Sequence, residues 1–285
     1  MVKHLLAAIF AVISVTVSAQ AEDVLERGAY LVKAVAACGV CHSPVDQTGS
    51  RSGPDLSGGA ATLSPSFIAY PPNLTPDVQT GLGSWSEEQI ITALRNGKTP
   101  DGRVLRPPMP IPFYRSMSDN DAQAVATYLK SLPAVEHRVP ESTYKVSTPA
   151  SYGPPVDHVQ DLPSDDRVAY GAYLAKLAHC MQCHTPFGQD GRRDYANRME
   201  AGGLSVDFAW GSRKSANIRP DIATGIGGWT DEQITAAIAR GLRNDGGLLS
   251  PIMPWQYFGR MRPEDLKAIV AWLRTLKPVP NVIER

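Results

Sequence analysis

Cysteine is scarce. Four in 285 residues are too few for the disulfide scaffold that holds small secreted folds together. Net charge is missing as well, because 28 Lys and Arg face 28 Asp and Glu. A balanced chain lacks the cationic excess that neutralises phosphates, so no nucleic-acid partner is expected. Long apolar runs are also wanting. The stretch Leu5 to Val17 is uncharged for 13 residues, short of the ~20 that a spanning helix needs. Lys3 precedes it, and Ala19-Gln20-Ala21 and the acidic pair Glu22-Asp23 follow. That is the layout of a secretory signal peptide. Residues 1–21 are therefore expected to be removed, leaving a protein exported to the periplasm with no integral membrane span.

What the chain does have is loop-forming residues and enough apolar ones. Its 24 glycines and 24 prolines point to long ordered loops between short elements, while 43% hydrophobic residues suffice for packed cores. The length suggests two domains.

The second half repeats the first. Thr80-Gly81-Leu82-Gly83-Ser84-Trp85-Ser86 returns as Thr224-Gly225-Ile226-Gly227-Gly228-Trp229-Thr230, an offset of 144. The same offset carries Asn73 onto Asn217, Pro76-Asp77 onto Pro220-Asp221, and Met109-Pro110 onto Met253-Pro254. Cys38, Cys41 and His42 match Cys180, Cys183 and His184 at an offset of 142. The expected layout is a first domain over 22–138, a proline-rich linker over 139–163 laid along the surface, and a second domain over 164–285.

Within each copy the signals are helical. Asp23 to Val35 and Arg167 to Leu177 each run into a cysteine motif. Ser86 with Gln89, and Thr230 with Gln233, form capping boxes. Gly97 and Gly241 stand where those helices should stop. Ala122, Val125, Ala126 and Leu129 share one face of the last helix, as do Leu266, Ile269, Val270 and Leu273 in its counterpart. No stretch alternates like a strand for long, so the fold class expected is all-α.

The pentapeptides Cys38-Gly39-Val40-Cys41-His42 and Cys180-Met181-Gln182-Cys183-His184 use every cysteine. Cys-x-x-Cys-His is the attachment site of covalently bound haem c. Two thiols three positions apart on one turn reach two vinyl groups of a porphyrin, and the histidine beside them reaches the iron. A thioredoxin-like pair would want a βαβ context, and a zinc site four closing ligands. Two haems are expected, one per copy.

Each iron has a sixth position, and its occupant decides the function. Only two methionine pairs respect the offset of 144: Met109 with Met253, and Met117 with Met261. Met109 and Met253 lie in proline-braced loops that cannot continue a helix, and are the axial-ligand candidates opposite His42 and His184. Met117 and Met261 precede the last helix of each copy, where a core contact is the plainer reading. His137, His158 and His179 have no counterpart in the other copy, which argues against bis-histidine ligation.

With these residues in hand, the chain resembles two tandem class I cytochrome c domains, and more specifically the cytochrome c subunits of periplasmic alcohol and gluconate dehydrogenases. The likeness rests on Asn73-Leu74-Thr75-Pro76-Asp77, on Thr80 to Trp85 and on Pro108-Met109-Pro110, with Arg219 and Ile252 departing from the pattern in the second copy. It implies that the first helix of each domain crosses the last at Gly28 and Gly171, against Tyr128-Leu129 and Trp272-Leu273. Such subunits usually carry three haem domains and a C-terminal membrane attachment, whereas here there are two domains and no apolar tail before Arg285. The expected function is single-electron transfer between redox proteins, a dehydrogenase as donor and a cytochrome or oxidase as acceptor. The protein would serve as a free carrier or as a non-catalytic subunit. A dihaem peroxidase is the alternative, and it would need an open sixth position.

Charge is uneven along the chain. Residues 22–138 hold 10 basic and 12 acidic side chains, the linker 1 and 3, and residues 164–285 hold 16 and 13. The arginines before the second Met loop read either as a docking face for an acidic partner or as partners of haem propionates.

Overall fold

The computed structural model describes residues 23–283 apart from 60, 65, 146, 148, 209 and 210. The signal peptide expected over 1–21 lies outside them. Among the described residues, no helix is long and apolar enough to cross a membrane.

Each repeat is built on a crossing of its first and last helices. In the first repeat α1 (Val24–Tyr30) crosses α5 (Asp119–Ser131), with α2 (Gly39–His42), α3 (Glu87–Asn96) and α4 (Ile111–Tyr114) between them in sequence. In the second, α6 (Arg167–Leu177) crosses α10 (Pro263–Thr275), with α7 (Cys180–His184), α8 (Asp231–Arg240) and α9 (Trp255–Phe258) between. The crossings depend on glycine. A Cβ on Gly28 would fall 2.0 Å from the Ala124 carbonyl oxygen and 2.6 Å from Tyr128 Cβ, and one on Gly171 1.9 Å from the Ala268 oxygen. The closest approach therefore lies about one turn before Leu129 and Trp272.

Local chemistry accounts for the helix ends. Both capping boxes form, at Ser86 with Gln89 and at Thr230 with Gln233. Gly97 and Gly241 end α3 and α8 at φ of 64° and 66°, a left-handed conformation that favours glycine. Between Gly28 and Ala37 the first repeat has one residue more than the second has between Gly171 and His179. The extra residue is absorbed in a π-helical turn, Leu31–Val35, the usual way a helix takes up a single insertion.

The expectation of an all-α fold needs correction. Five short strands, β1 (Thr62–Ser64), β2 (Phe67–Ala69), β3 (Thr143–Tyr144), β4 (Ser205–Phe208) and β5 (Gly211–Lys214), form an antiparallel sheet in the order β3-β2-β1-β4-β5. The hairpins β1-β2 and β4-β5 occupy corresponding places in the two repeats and meet edge to edge at Thr62 and Phe208. The linker adds β3 on the other side. Strands of two to four residues show no readable alternation, and they form here because other segments supply their hydrogen-bond partners.

The repeats pack through a pseudo-two-fold interface. Helix α4 of the first lies on α6 of the second, and α9 of the second lies on the π-helical turn of the first. Tyr30 donates its hydroxyl proton to Asp265, and Tyr173 donates to Asp121 at 2.5 Å. The Ser118 backbone N–H donates to Tyr173 Oη and that of Arg262 to Tyr30 Oη, each at 3.2 Å. Such reciprocity, residue i on j and j on i, is what an isologous contact requires.

Candidate haem-attachment sites

In the first repeat the chain leaves the π-helical turn through Ala37, at φ 48°, and starts the turn that carries Cys38 and Cys41. The Cys38 N–H donates to the Val32 carbonyl at 3.0 Å, and the His42 N–H donates to the Cys38 carbonyl at 2.9 Å. Both thiols sit on one helical turn. The second repeat makes the same entry through His179, at φ 45°, into α7. All four cysteines are free and half-buried.

Burial pushes the thiols of Cys38 and Cys180 up to about 12 and that of Cys41 to about 11, and it raises Cys183 as well. A disulfide-exchange pair works through a thiolate of lowered pKa, so these are not thiols poised for that chemistry. Among the described residues no cluster of three or more His, Cys, Asp or Glu is arranged to hold a metal ion by itself. Paired protonated thiols beside one histidine fit a thioether-linked porphyrin, which would supply the remaining donors to iron itself.

The histidines are oriented for this. His42 Nδ1 lies 2.8 Å from the Pro72 carbonyl oxygen and His184 Nδ1 2.7 Å from that of Ala216. A carbonyl only accepts, so Nδ1 carries the proton and Nε2 keeps its lone pair. Burial lowers the pKa of both rings, against the pull of those hydrogen bonds, which keeps them neutral as a ligand must be.

Met109 and Met253 are half-buried and packed against the core. They occupy matching turns, with the Ile111 N–H donating to the Met109 carbonyl at 2.9 Å and the Trp255 N–H to that of Met253 at 2.8 Å. Met117 and Met261 are only 1% and 5% exposed and sit inside the helical core. Asn73 and Asn217 tie the loop before α3 and before α8 to the segment after the last helix in the same way, donating to Thr80 and Val135 in one repeat and to Thr224 and Val279 in the other, at 2.7–3.1 Å.

The two attachment turns face each other across the interface. Tyr257 of α9 lies over Gly39, where a Cβ would meet its Oη at 2.8 Å. Gln182 Nε2 donates to the Pro108 carbonyl at 2.5 Å, tying one attachment turn to the other repeat's Met loop. The Cys183 thiol adds to the rise at Cys41. Burial pushes the His179 imidazole down to about 4, against a hydrogen bond to the Ala36 backbone. It is a neutral interface residue.

One buried feature was not anticipated. Leu56 and Glu200 share a left-handed φ, 61° and 60°, and the same backbone role. Each carbonyl accepts from the residue after Asn73 or Asn217. Glu200 is 1% exposed and pairs with Arg219 at 3.0 Å, which stands where the first repeat has Thr75. Arg219 also donates to the Met199 carbonyl at 2.8 Å and that of Lys277 at 3.1 Å. The departure at Arg219 was legible in the sequence, but its partner was not. Of the other arginines before the second Met loop, Arg193 donates to the Thr185 carbonyl and Arg198 pairs with Asp194.

Comparison with known proteins agrees with this geometry. Residues 25–133 and 168–277 each match the family model described as cytochrome c. The chain is 30% identical to the gluconate 2-dehydrogenase cytochrome c subunit of Pantoea cypripedii, over 97% of this chain and 65% of that one. It is 29% identical to the cytochrome c subunit of the quinone alcohol dehydrogenase of Gluconacetobacter polyoxogenes, over 96% of this chain and 61% of the relative. A diheme cytochrome c-type protein of Cereibacter sphaeroides is 26% identical, over 85% and 82%. The chain thus spans less than two thirds of the length of the two dehydrogenase subunits.

Proposed function

The chain belongs to the cytochrome c family, once in each repeat, and from that we propose that it is a periplasmic dihaem protein passing single electrons between redox partners. Its donor is a dehydrogenase of the kind its relatives are named for, and its acceptor is another cytochrome or an oxidase. Haem, when bound, supplies the one-electron ferric/ferrous couple. The chain's own residues do the rest. Cys38 and Cys41, with Cys180 and Cys183, anchor the two porphyrins. His42 and His184 present Nε2 to the irons, held by the Pro72 and Ala216 carbonyls. Met109 and Met253, in their matching turns, would supply the second protein ligand to each iron. No substrate is turned over.

The observation that carries this reading is the duplication of the whole device: an attachment turn, a carbonyl-oriented histidine and a proline-flanked Met turn in each repeat. The facing attachment turns favour an electron entering through one repeat and leaving through the other.

The test is spectroscopic, on the exported haem-loaded protein. Two haems per chain are expected, both low-spin when ferric and both contributing to the weak near-infrared sulfur-to-iron band. Met109→Ala should remove half of that band, admit cyanide or carbon monoxide at one iron and lower that haem's potential. One high-spin haem in the unaltered protein would instead support a peroxidase. Loss of the band in Met117→Ala would place Met117, not Met109, at that iron.

A further inference from the structure

The outer face between the third and last helices has very different neighbours in the two repeats. On the first repeat, the linker lies along α3 and α5. The Val156 N–H donates to Asn96 Oδ1 at 2.8 Å, and Asn96 Nδ2 donates to the Val156 carbonyl at 3.2 Å. Val159 exchanges two bonds with Asp119, at 2.9 and 3.0 Å. Arg95 and Arg115 donate to the carbonyls of Asp157 and Pro154. The strap is extended, carries Pro154 and Pro155, and presents Asp157 and Asp161.

On the second repeat no described segment follows that path. The face is an open groove of about 700 Å³ between α8 and α10. Ala236, Ala239, Met261, Leu266 and Val270 form its apolar floor, and Arg167, Arg240 and Lys267 stand at its rim. The offset of 144 shows what changed. Arg95 and Arg115, which hold the strap, become Ala239 and Gly259, so the groove is deeper. Asn96 and Gln123 become Arg240 and Lys267, so its rim is more positive. None of the three rim cations forms an ion pair among the described residues. The lining carboxylate of Asp231 is answered by Arg274 at 2.9 Å, leaving Glu232 as the one opposing acid.

We propose that this groove docks an extended, proline-bearing acidic segment of a partner protein along the path the linker takes on the first repeat. The segment is held by the cationic rim and apolar floor, because Ala239, Arg240, Gly259 and Pro263 replace the linker's anchors Arg95, Asn96, Arg115 and Asp119. Apolar floor and cationic rim match such a segment. A second copy of this chain is a poor occupant, because its own segment of that kind is already bonded to its first repeat. The proposal does not depend on the electron-transfer reading, since the groove lies away from both attachment turns.

The probe is a fluorescent peptide with the sequence of residues 152–162, titrated into the full-length haem-loaded protein. Saturable binding is expected. It should weaken about tenfold or more with Ala239→Trp, which fills the floor. Lys267→Gln, a purely surface change, should weaken it roughly two- to fivefold, as expected of one exposed charge. Unchanged haem spectra and thermal transitions would show that both variants fold. Absent binding overturns the proposal. So does binding that neither variant alters, which would place the peptide on the first repeat. Self-association in the ultracentrifuge that Ala239→Trp abolishes also overturns it, because the occupant would then be a second copy.

Discussion

At one corresponding place the first repeat buries two neutral side chains where the second buries an ion pair. Leu56 and Thr75 are both buried in one, and in the other their places are taken by Glu200 and Arg219, which pair. The backbone is the same in both, down to the left-handed residue and the carbonyl it presents. One scaffold thus accepts two chemistries beside its attachment turn, and the difference is electrostatic. Charge near a haem shifts its potential, and about 59 mV changes a one-electron equilibrium tenfold. The repeats therefore have the means to hold electrons unequally without differing in fold.

The harshest way to break the comparison is to deprive one repeat of its haem. Cys38→Ala with Cys41→Ala should halve the haem content and leave the first repeat largely unfolded, because the cofactor's binding energy is part of the folding energy. The second repeat should retain its haem but melt earlier, having lost Asp121 and the Pro108 carbonyl as partners. Circular dichroism and haem absorbance, followed together on heating, check both points. A native-like cooperative transition for the haem-free repeat would defeat the expectation.

Removing half of the buried pair comes next. Arg219→Thr leaves Glu200 without its partner and should cost about 3–5 kcal/mol, read as earlier loss of the second haem's absorbance in denaturant. Glu200→Leu combined with Arg219→Thr recreates the first repeat's pair and should recover most of that loss. The pH dependence has a definite sign. Burial raises the Glu200 pKa in the folded state despite Arg219, so the folded protein holds that proton more tightly than the unfolded chain. The group's contribution is therefore most favourable below the ordinary carboxylate range and is lost as pH rises through the raised value. Arg219→Thr should steepen that decline, and the double variant should abolish it.

The interface should respond more mildly. Tyr173→Phe and Tyr30→Phe each remove a hydroxyl that serves a carboxylate of the other repeat, at about 1–3 kcal/mol apiece. Because the contacts are reciprocal, the two losses should be of similar size. A large asymmetry in thermal stability would show that the pseudo-symmetry is geometric only. The smallest effect is the control. Ser86→Ala and Thr230→Ala should each cost about 1 kcal/mol, equally in the two repeats, because the capping boxes are alike.

What is local or duplicated can be read from the amino-acid order alone. Helix ends follow from Ser86, Gln89 and Gly97 and their counterparts, since capping involves residues three or four positions apart. The attachment turn follows from Cys-x-x-Cys-His, because thiols three apart on a helix share a side. Repetition at one offset marked which methionines and asparagines belong together. What joins distant residues emerges only on folding. Tyr30 and Asp265, 235 positions apart, carry no mutual signal in a single chain, and neither do Glu200 and the backbone place it shares with Leu56. The sheet escaped notice because two- to four-residue strands have no period to read, and their stability comes from pairing across repeats and linker. Burial, not residue type, pushed the thiols up and kept the histidines neutral. The groove is formed by side chains of α6, α8 and α10, which are far apart in the chain. Local codes are written within a few residues, whereas interfaces, buried charges and grooves are set by which surfaces the folded chain brings together.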